Sequence, residues 1–463
     1  MLHIDFALTP EQLLSQIDAL FSLSAAKIST LQKRWDPSRG TPVFTVRGEY
    51  TSRGWTEWTQ GFQFGSALLQ FDATGDQHFL VIGRDATVKS MATHVSHIGV
   101  HDHGFNNIST YGNLLRLMNE GRIPENTWER SFYALALKVS GAVQAARWTA
   151  LEDGGGYIYS FNGPHSLFAD TVRSLRVLAV AYRLGHVLMG EKDRKISLLE
   201  RLILHAEATA KYNVYFGEGR DVYDIRGRVA HESIFNLNDG SYRCPSTQQG
   251  YTPFSTWTRG HAWILCGYAE ELEFLDTLPV DAFEFGASKE EVIARFLNTA
   301  IAVAEFYLAQ TPADGVPYWD TGAPGLAHMG DYLNRPAEPF NDHEPVDSSA
   351  AAIAAQGLIR LGNFLAGQGR NRDGDRYARA GLTVTRTLFG EPYLSFDARH
   401  EGLILHSVYH RPNGWDHVPE GRKIPCGESS MWGDYHAREL ALLVKRMATG
   451  QVYYRFFSNS PTL

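Results

Sequence analysis

The feature that most constrains this chain is an apolar rhythm of helical period that returns from one end of its 463 residues to the other. Leu175, Leu178, Ala179 and Tyr182 recur at steps of three and one, as do Ile264, Leu265, Tyr268 and Leu272 at steps of one to four, which puts each set on one face of a helix. Alternating runs of strand type are scarce. Short Gly/Asp-rich punctuations separate the helical stretches: ATGDQHF around Asp76, LMGEKDRK around Asp193, FGASKEE around Ser288 and GRNRDGDRYARA around Asp375. Each reads as the close of one amphipathic helix and the opening of the next. A chain that does this repeatedly buries its apolar faces helix against helix, so repeated helical hairpins are expected rather than βαβ units. No linker, charge block or low-complexity tract divides it, and one all-α domain over residues 1–463 is predicted.

Composition limits the partners. The 43 Lys and Arg are outweighed by 51 Asp and Glu, giving a net charge of -8 and a pI near 6.1, so no general positive field exists to collect nucleic acid or an anionic membrane. No run approaches the roughly 18 uninterrupted apolar residues of a membrane span. The opening MLHIDFALTPEQLLSQIDALF lacks a basic leader and a cleavage site and reads as a helix opened at Thr9. Cys244, Cys266 and Cys426 are odd in number and without CxxC spacing, which fits a reducing compartment, a cytoplasmic location and no structural zinc.

The stretches that break the helical rhythm are rich in Gly, Trp, His and Asp: YTSRGWTEWTQGF, HVSHIGVHDHGFN, YSFNGPHSLFAD, the tract 231–263, DGVPYWDTGAP and ESSMWGDYH. Loops of this composition read either as a ligand-facing rim or as aromatic plugs at the ends of a helical bundle. Within them, Asp102 lies in His101-Asp102-His103-Gly104-Phe105, downstream of His94 and His97. An HxH pair with a third histidine can bind a divalent metal, but hydrolases of that type carry the pair at the end of a barrel strand, and the alternative is solvated or core histidines. Asp170 opens an apolar helix beside Leu167, Phe168 and Val172. It reads either as a first-turn acid favoured by the helix dipole or as a desolvated carboxyl with a raised pKa, kept protonated by an ionised Asp102. Gln249 and the segment Trp257-Thr258-Arg259-Gly260-His261-Ala262-Trp263 precede another apolar helix; Arg259 offers a fork for a carboxylate, and Trp257 and Trp263 offer flat faces for a sugar, with Trp55 and Trp58 as a further wall. This combination points to an acidic sugar. Asp347 in DSSA reads as the N-cap of an Ala-rich inner helix, and DGVPYWD as a rim loop.

Taken in order, WTEWTQGFQFGSALLQFDATGD, HDHGF, SLFADTVRSL, TQQGYTPFSTWTRGHAW, DGVPYWDTGAP, DSSAAAIAAQGL and SMWGDYHARELAL resemble the unsaturated glucuronyl hydrolases of glycoside hydrolase family 88, with the unsaturated rhamnogalacturonyl hydrolases of family 105 as cousins. The resemblance implies an (α/α)6 barrel with the sugar bound at one end and no metal or organic cofactor. It implies hydration of the C4=C5 double bond of a terminal unsaturated uronic acid, giving a hemiketal that collapses and releases the neighbouring sugar, so the expected partner is an unsaturated uronic-acid-terminated di- or oligosaccharide. Asp170 matches the family's acid/base and Asp102 its partner carboxylate. His231, Gln249, Trp257, Arg259 and Trp263 match positions lining the pocket, and Trp58 its outer wall. The chain departs from the family pattern in Thr171 after the acid/base, in Tyr159-Ser160-Phe161-Asn162 where a Trp is usual upstream, in Gln248 where a His is common, and in long tracts at 213–229 and 322–345. Two other readings stand beside this one: an (α/α)6 sugar epimerase or isomerase, which would favour histidine acid/base pairs, and a binder of acidic sugars without catalysis.

Overall fold

The structure is a computed structural model that describes residues 1–54, 58–283 and 286–457. Its principal helices come in six consecutive pairs: α1 (Leu14–Arg34) and α2 (Gln60–Thr74); α3 (Gln77–Ser90) and α4 (His103–Asn107, continued by a wider π turn at Ile108–Gly112 and by Asn113–Asn119); α5 (Thr127–Ala146) and α6 (Thr171–Ser174 with Arg176–Arg183); α7 (Leu198–Tyr212) and α8 (Thr258–Asp276); α9 (Lys289–Gln310) and α10 (Ser348–Gly367); α11 (Asn371–Leu388) and α12 (Met431–Ala448). The even-numbered helices pack side by side into a closed inner ring, α12 returning to α2, and the odd-numbered ones surround them. This is an (α/α)6 barrel, the architecture that helix-against-helix burial calls for.

The two rings differ in the way their sequences predict. Outer α1 buries one stripe, Ile17, Leu20, Phe21, Ser24, Ile28 and Leu31, at helical spacing. Inner α8, α10 and α12 are buried on nearly every face. Helix α9 is long and apolar enough to cross a membrane by composition, yet it is an outer stave of the barrel. The inner helices also approach closely: a Cβ added at Gly104 would lie 2.0 Å from Ser174 O, and one at Gly61 would lie 2.3 Å from Asn106 O, so both positions require glycine. Across inner helices α6, α8, α10 and α12, Arg173, Arg176 and Arg360 pair with Glu270, Glu273 and Glu439, all buried.

The punctuations behave as expected at three of four places. Gly75 takes the left-handed conformation that ends α2, and Asp76 caps α3 by accepting from His78 N at 2.9 Å. Ser288 caps α9 through Glu291 N, with Glu291 reaching back to Ser288 N at 2.8 Å. Residues 368–370 join α10 to α11, whose first turn carries the Asp-rich remainder of that punctuation. LMGEKDRK is different. It forms a small antiparallel hairpin, Val187–Met189 against Lys195–Ser197, turned by Lys192 and Asp193 at φ of 56° and 57°. In all, the described residues hold nine short strands in four small sheets, three to five residues each, too short for alternation to show in sequence. One of them builds the site: Ser166–Phe168 pairs with Glu232–Phe235, which pairs in turn with Tyr242–Ser246.

Candidate active site

The six inner helices start at the same end of the barrel, and the residues just before their first turns form its mouth: Thr59, Asp102, Asp170, Trp257, Asp347 and Ser430. Cross-links hold these starts in register. Asn106 Oδ1 accepts from Gly61 N at 2.7 Å, Ser174 Oγ accepts from Gly104 N at 2.8 Å and donates to His101 O at 2.8 Å, and Trp432 Nε1 donates to Ser349 Oγ at 3.0 Å. The β-pairing Phe168↔Glu232 continues with Ala169 N donating to His231 O at 2.9 Å, which sets His231 beside Asp170.

Asp102 and Asp170 therefore meet, each 8% exposed, with His101 between them. His101 Nε2 lies 3.1 Å from Asp170 Oδ2 and 3.7 Å from Asp102 Oδ1. His231 Nε2 faces the other carboxylate oxygen, Asp170 Oδ1, at 3.8 Å. The histidine rings flank Phe168, whose centroid is 5.6 Å from His101 and 4.5 Å from His231, and Phe161 stacks over His101 at 6.0 Å. His231 Nδ1 accepts from Gln248 N at 3.0 Å and Gln249 N at 3.3 Å. Two donors at one ring nitrogen fix its tautomer, so His231 presents Nε2–H to Asp170.

The charge states reverse the sequence expectation for the acid pair. Asp170 was expected to be raised. Burial does push it upward, but the hydrogen bond and positive charge of His101, with the N–H of His231 on its other side, outweigh burial and hold it well below the usual carboxylate range. Asp102 is the raised carboxyl: burial lifts it, His101 opposes, and the Asp170 charge adds to the lift. His101 is raised too, since Asp102 and the hydrogen bond to Asp170 overcome its burial. Neither aspartate caps its helix, which removes the dipole-acid reading of Asp170 as a sufficient account of it.

The HxH pair does not converge. His103 Nε2 donates to His97 O at 2.9 Å and its Nδ1 accepts from Ser140 Oγ at 2.9 Å, and His94 Nε2 meets Gln60 Oε1 at 2.9 Å. Ligand-type atoms of His101, Asp102 and Asp170 do gather within 4.8 Å of one another, but His101 Nε2 is already engaged by Asp170 Oδ2 at 3.1 Å.

The aromatic wall is continuous with this cluster. Trp257 packs 4.7 Å from His231, and the Arg259 guanidinium lies 4.8 Å from both Trp257 and Trp432. Half-buried Trp58 stacks on Trp432 at 5.0 Å and tilts against Phe105 at 5.9 Å, and Phe105 meets Trp263 at 4.8 Å. Trp55 lies outside the described residues. Two roles change. Arg259 does not hold an open fork: its terminal nitrogens donate to Asp347 Oδ2 at 3.1 Å, Gln249 Oε1 at 2.9 Å, Tyr409 O at 2.8 Å and Val408 O, so it braces the wall and Gln249. Trp263 is 2% exposed, wedged between Phe105 and His436, and forms the packed floor. Asp347 caps α10 as expected, accepting from Ser349 N at 3.0 Å, and also pairs with Arg259, which the sequence reading did not include. Likewise the sequence presents His101 only as half of an HxH pair, and its place next to Asp102 is the available signal.

The class of protein that this fold and site define is a six-hairpin barrel with two carboxylates and two histidines buried at an aromatic mouth. No family model matches the chain. Along most of its length it is similar to unsaturated glucuronyl hydrolases: that of Bacillus sp. (strain GL1) is 27% identical over 414 residues, 86% of this chain and 89% of the relative. An unsaturated chondroitin disaccharide hydrolase of Streptococcus pyogenes serotype M1 is 24% identical over 94% of this chain and 93% of its own length. Among solved structures, an unsaturated glucuronyl hydrolase specific for heparin superposes with a TM-score of 0.71 at 19% identity, covering 94% of this chain and 98% of the other, a likeness of fold.

Proposed function

We propose that this protein is a glycoside hydrolase acting on unsaturated uronyl di- or oligosaccharides, in which Asp170 serves as acid and base with Asp102 beside it. The observation that carries this reading is the meeting of Asp102, Asp170, His101 and His231 in one buried cluster against the wall of Trp58, Trp257 and Arg259. Hydrating an enol ether needs a proton at C4 and a hydroxyl at C5, and a single carboxyl group can deliver the first and then deprotonate the water that supplies the second. The resulting hemiketal opens and releases the neighbouring sugar. Six helix N-termini at the mouth make it favourable for the uronate's negative charge. An epimerase needs two histidines able to trade protons, and His231, pinned as a donor, does not suit that task. Three free cysteines, one of them exposed, suit a reducing cytoplasm.

The test is to incubate the protein with lyase-generated disaccharides from glycosaminoglycan, ulvan, gellan and pectin-type sources and follow the ultraviolet absorbance of the double bond. Loss of absorbance with release of the second sugar supports the reading. Binding without turnover across the panel refutes it in favour of a binder.

A further inference from the structure

The proposed reaction needs a proton on Asp170, yet the structure holds that carboxyl ionised. The proton must sit on a neighbour. Three groups compete for it, and geometry separates them. His231 has its Nδ1 closed by the N–H groups of Gln248 and Gln249, so taking up a second proton would set an N–H against two others. Asp102 has no hydrogen bond to Asp170 among those the structure shows, and it stands 3.7 Å from His101 Nε2. His101 alone is in direct hydrogen-bond contact with Asp170, and its Nδ1 is buried with no hydrogen-bond partner among the described residues, so no protein donor blocks a second proton there.

We infer that His101 is a positioning residue that stores the catalytic proton for Asp170, the two acting as one proton-sharing pair. This rests on the hydration reading above and says where its proton is kept. The step balances. The proton on His101 Nε2 moves to Asp170 Oδ2, and the neutral carboxylic acid then gives a proton to substrate C4. The carboxylate left behind takes a proton from the water whose hydroxyl bonds to C5, and returns a proton to His101. One water is consumed, and the pair ends as it began. Phe161 and Phe168 cover the His101 ring on two sides, which keeps this exchange from bulk water.

The charged and titratable groups facing His101 set its behaviour. Asp102 and Asp170 favour its proton, Arg147 opposes it, and buried His205, whose Nδ1 accepts from Ile158 N at 2.9 Å, is neutral. The pair therefore loses its proton at the pKa of a raised histidine and not at that of an aspartate.

Two measurements test this. His101→Gln keeps a donor to Oδ2 but cannot store a proton; kcat should fall by roughly 100-fold, the lower end of a general acid's contribution, with KM nearly unchanged, and the basic limb of the kcat profile should move to lower pH. An unmoved basic limb would overturn the inference. The second needs no substrate and no folded His101 variant: the ring signal of His101, followed by NMR in histidine-labelled protein, should titrate above the ordinary value of about 6.5 and fall in Asp170→Asn. Titration at or below that value in the wild type refutes the pair. If no unsaturated saccharide is turned over, the hydration reading fails while the NMR result still decides whether the pair exists.

Discussion

Replacing Asp170 by Asn tests the centre of the site through activity and stability together. The variant keeps the size of the side chain but has one acceptor and one donor where the carboxylate has two acceptors. His101 Nε2–H and His231 Nε2–H both point at this group, from 3.1 Å and 3.8 Å. The Asn amide must therefore turn its NH2 toward one of two donors. A buried hydrogen bond to a charged group is worth about 1.5–3 kcal/mol, so a loss of that order is expected near pH 5–6. The pH dependence follows from the two shifts. A depressed Asp170 contributes stability above its unfolded pKa of about 3.9, lost as pH falls through the folded value; a raised His101 contributes below about 6.5, lost as pH rises through its folded value. The gap between wild type and variant should be widest between roughly pH 4 and 6.5 and narrow on both sides. Turnover should fall at least 100-fold, about 2.7 kcal/mol of barrier. Urea unfolding at a series of pH values and a double-bond absorbance assay read the two effects. A stability gap that is flat with pH, or near-normal turnover, would refute the reasoning.

Trp263→Ala removes the packed floor and should destabilise the protein by about 3–5 kcal/mol, measured by denaturant midpoint; a drop in activity without loss of stability would make Trp263 a sugar platform after all. Glu439→Ala leaves Arg173 and Arg176 buried with one anion fewer and should cost about 3–5 kcal/mol, with thermal unfolding as the check. Dialysis against a chelator should leave turnover of an unsaturated disaccharide unchanged, since His101 Nε2 is already engaged by Asp170; metal-dependent recovery of activity would contradict this.

The barrel was legible in sequence because ten of its twelve staves are unbroken helices of 14 to 22 residues, with enough turns for the apolar period to show. The small sheets were not, and LMGEKDRK passed for a helix junction because a three-residue strand has no period to read. The aspartates were legible as members of ordered motifs. Their charge states were not, because these depend on partners that only folding brings together: His231 reaches Asp170 through a strand pairing across 61 residues, and Arg259 finds Asp347 across 88. Burial of Asp170 was inferred correctly from Leu167, Phe168 and Val172, and gave the wrong sign because two histidines outweigh it.

Aspartates at the starts of α-helices divide into two kinds among the described residues, and the division marks the site. Asp76 and Asp347 cap their helices by accepting backbone N–H bonds. Asp102 and Asp170 hold the same position and decline the cap, a departure that costs each helix about 1 kcal/mol. Such a violation of local preference belongs at a functional group, where the carboxyl is needed elsewhere. Asp102 adds a second cost, since burial and the Asp170 charge disfavour its ionised form. For an acid whose folded pKa is raised, stability falls as pH rises from the unfolded value of about 3.9 through the folded one, and stays lower above it. Asp102→Asn removes that ionisation, so the variant should match the wild type below about pH 4 and exceed it near neutrality by about 0.5–2 kcal/mol, the usual scale of a stabilising substitution at a strained functional position. Turnover should fall, because His101 loses one of the two anions that hold its proton. Denaturant unfolding at pH 4 and pH 7 decides it: a variant less stable than the wild type at pH 7 would mean that Asp102 serves the fold before it serves the reaction.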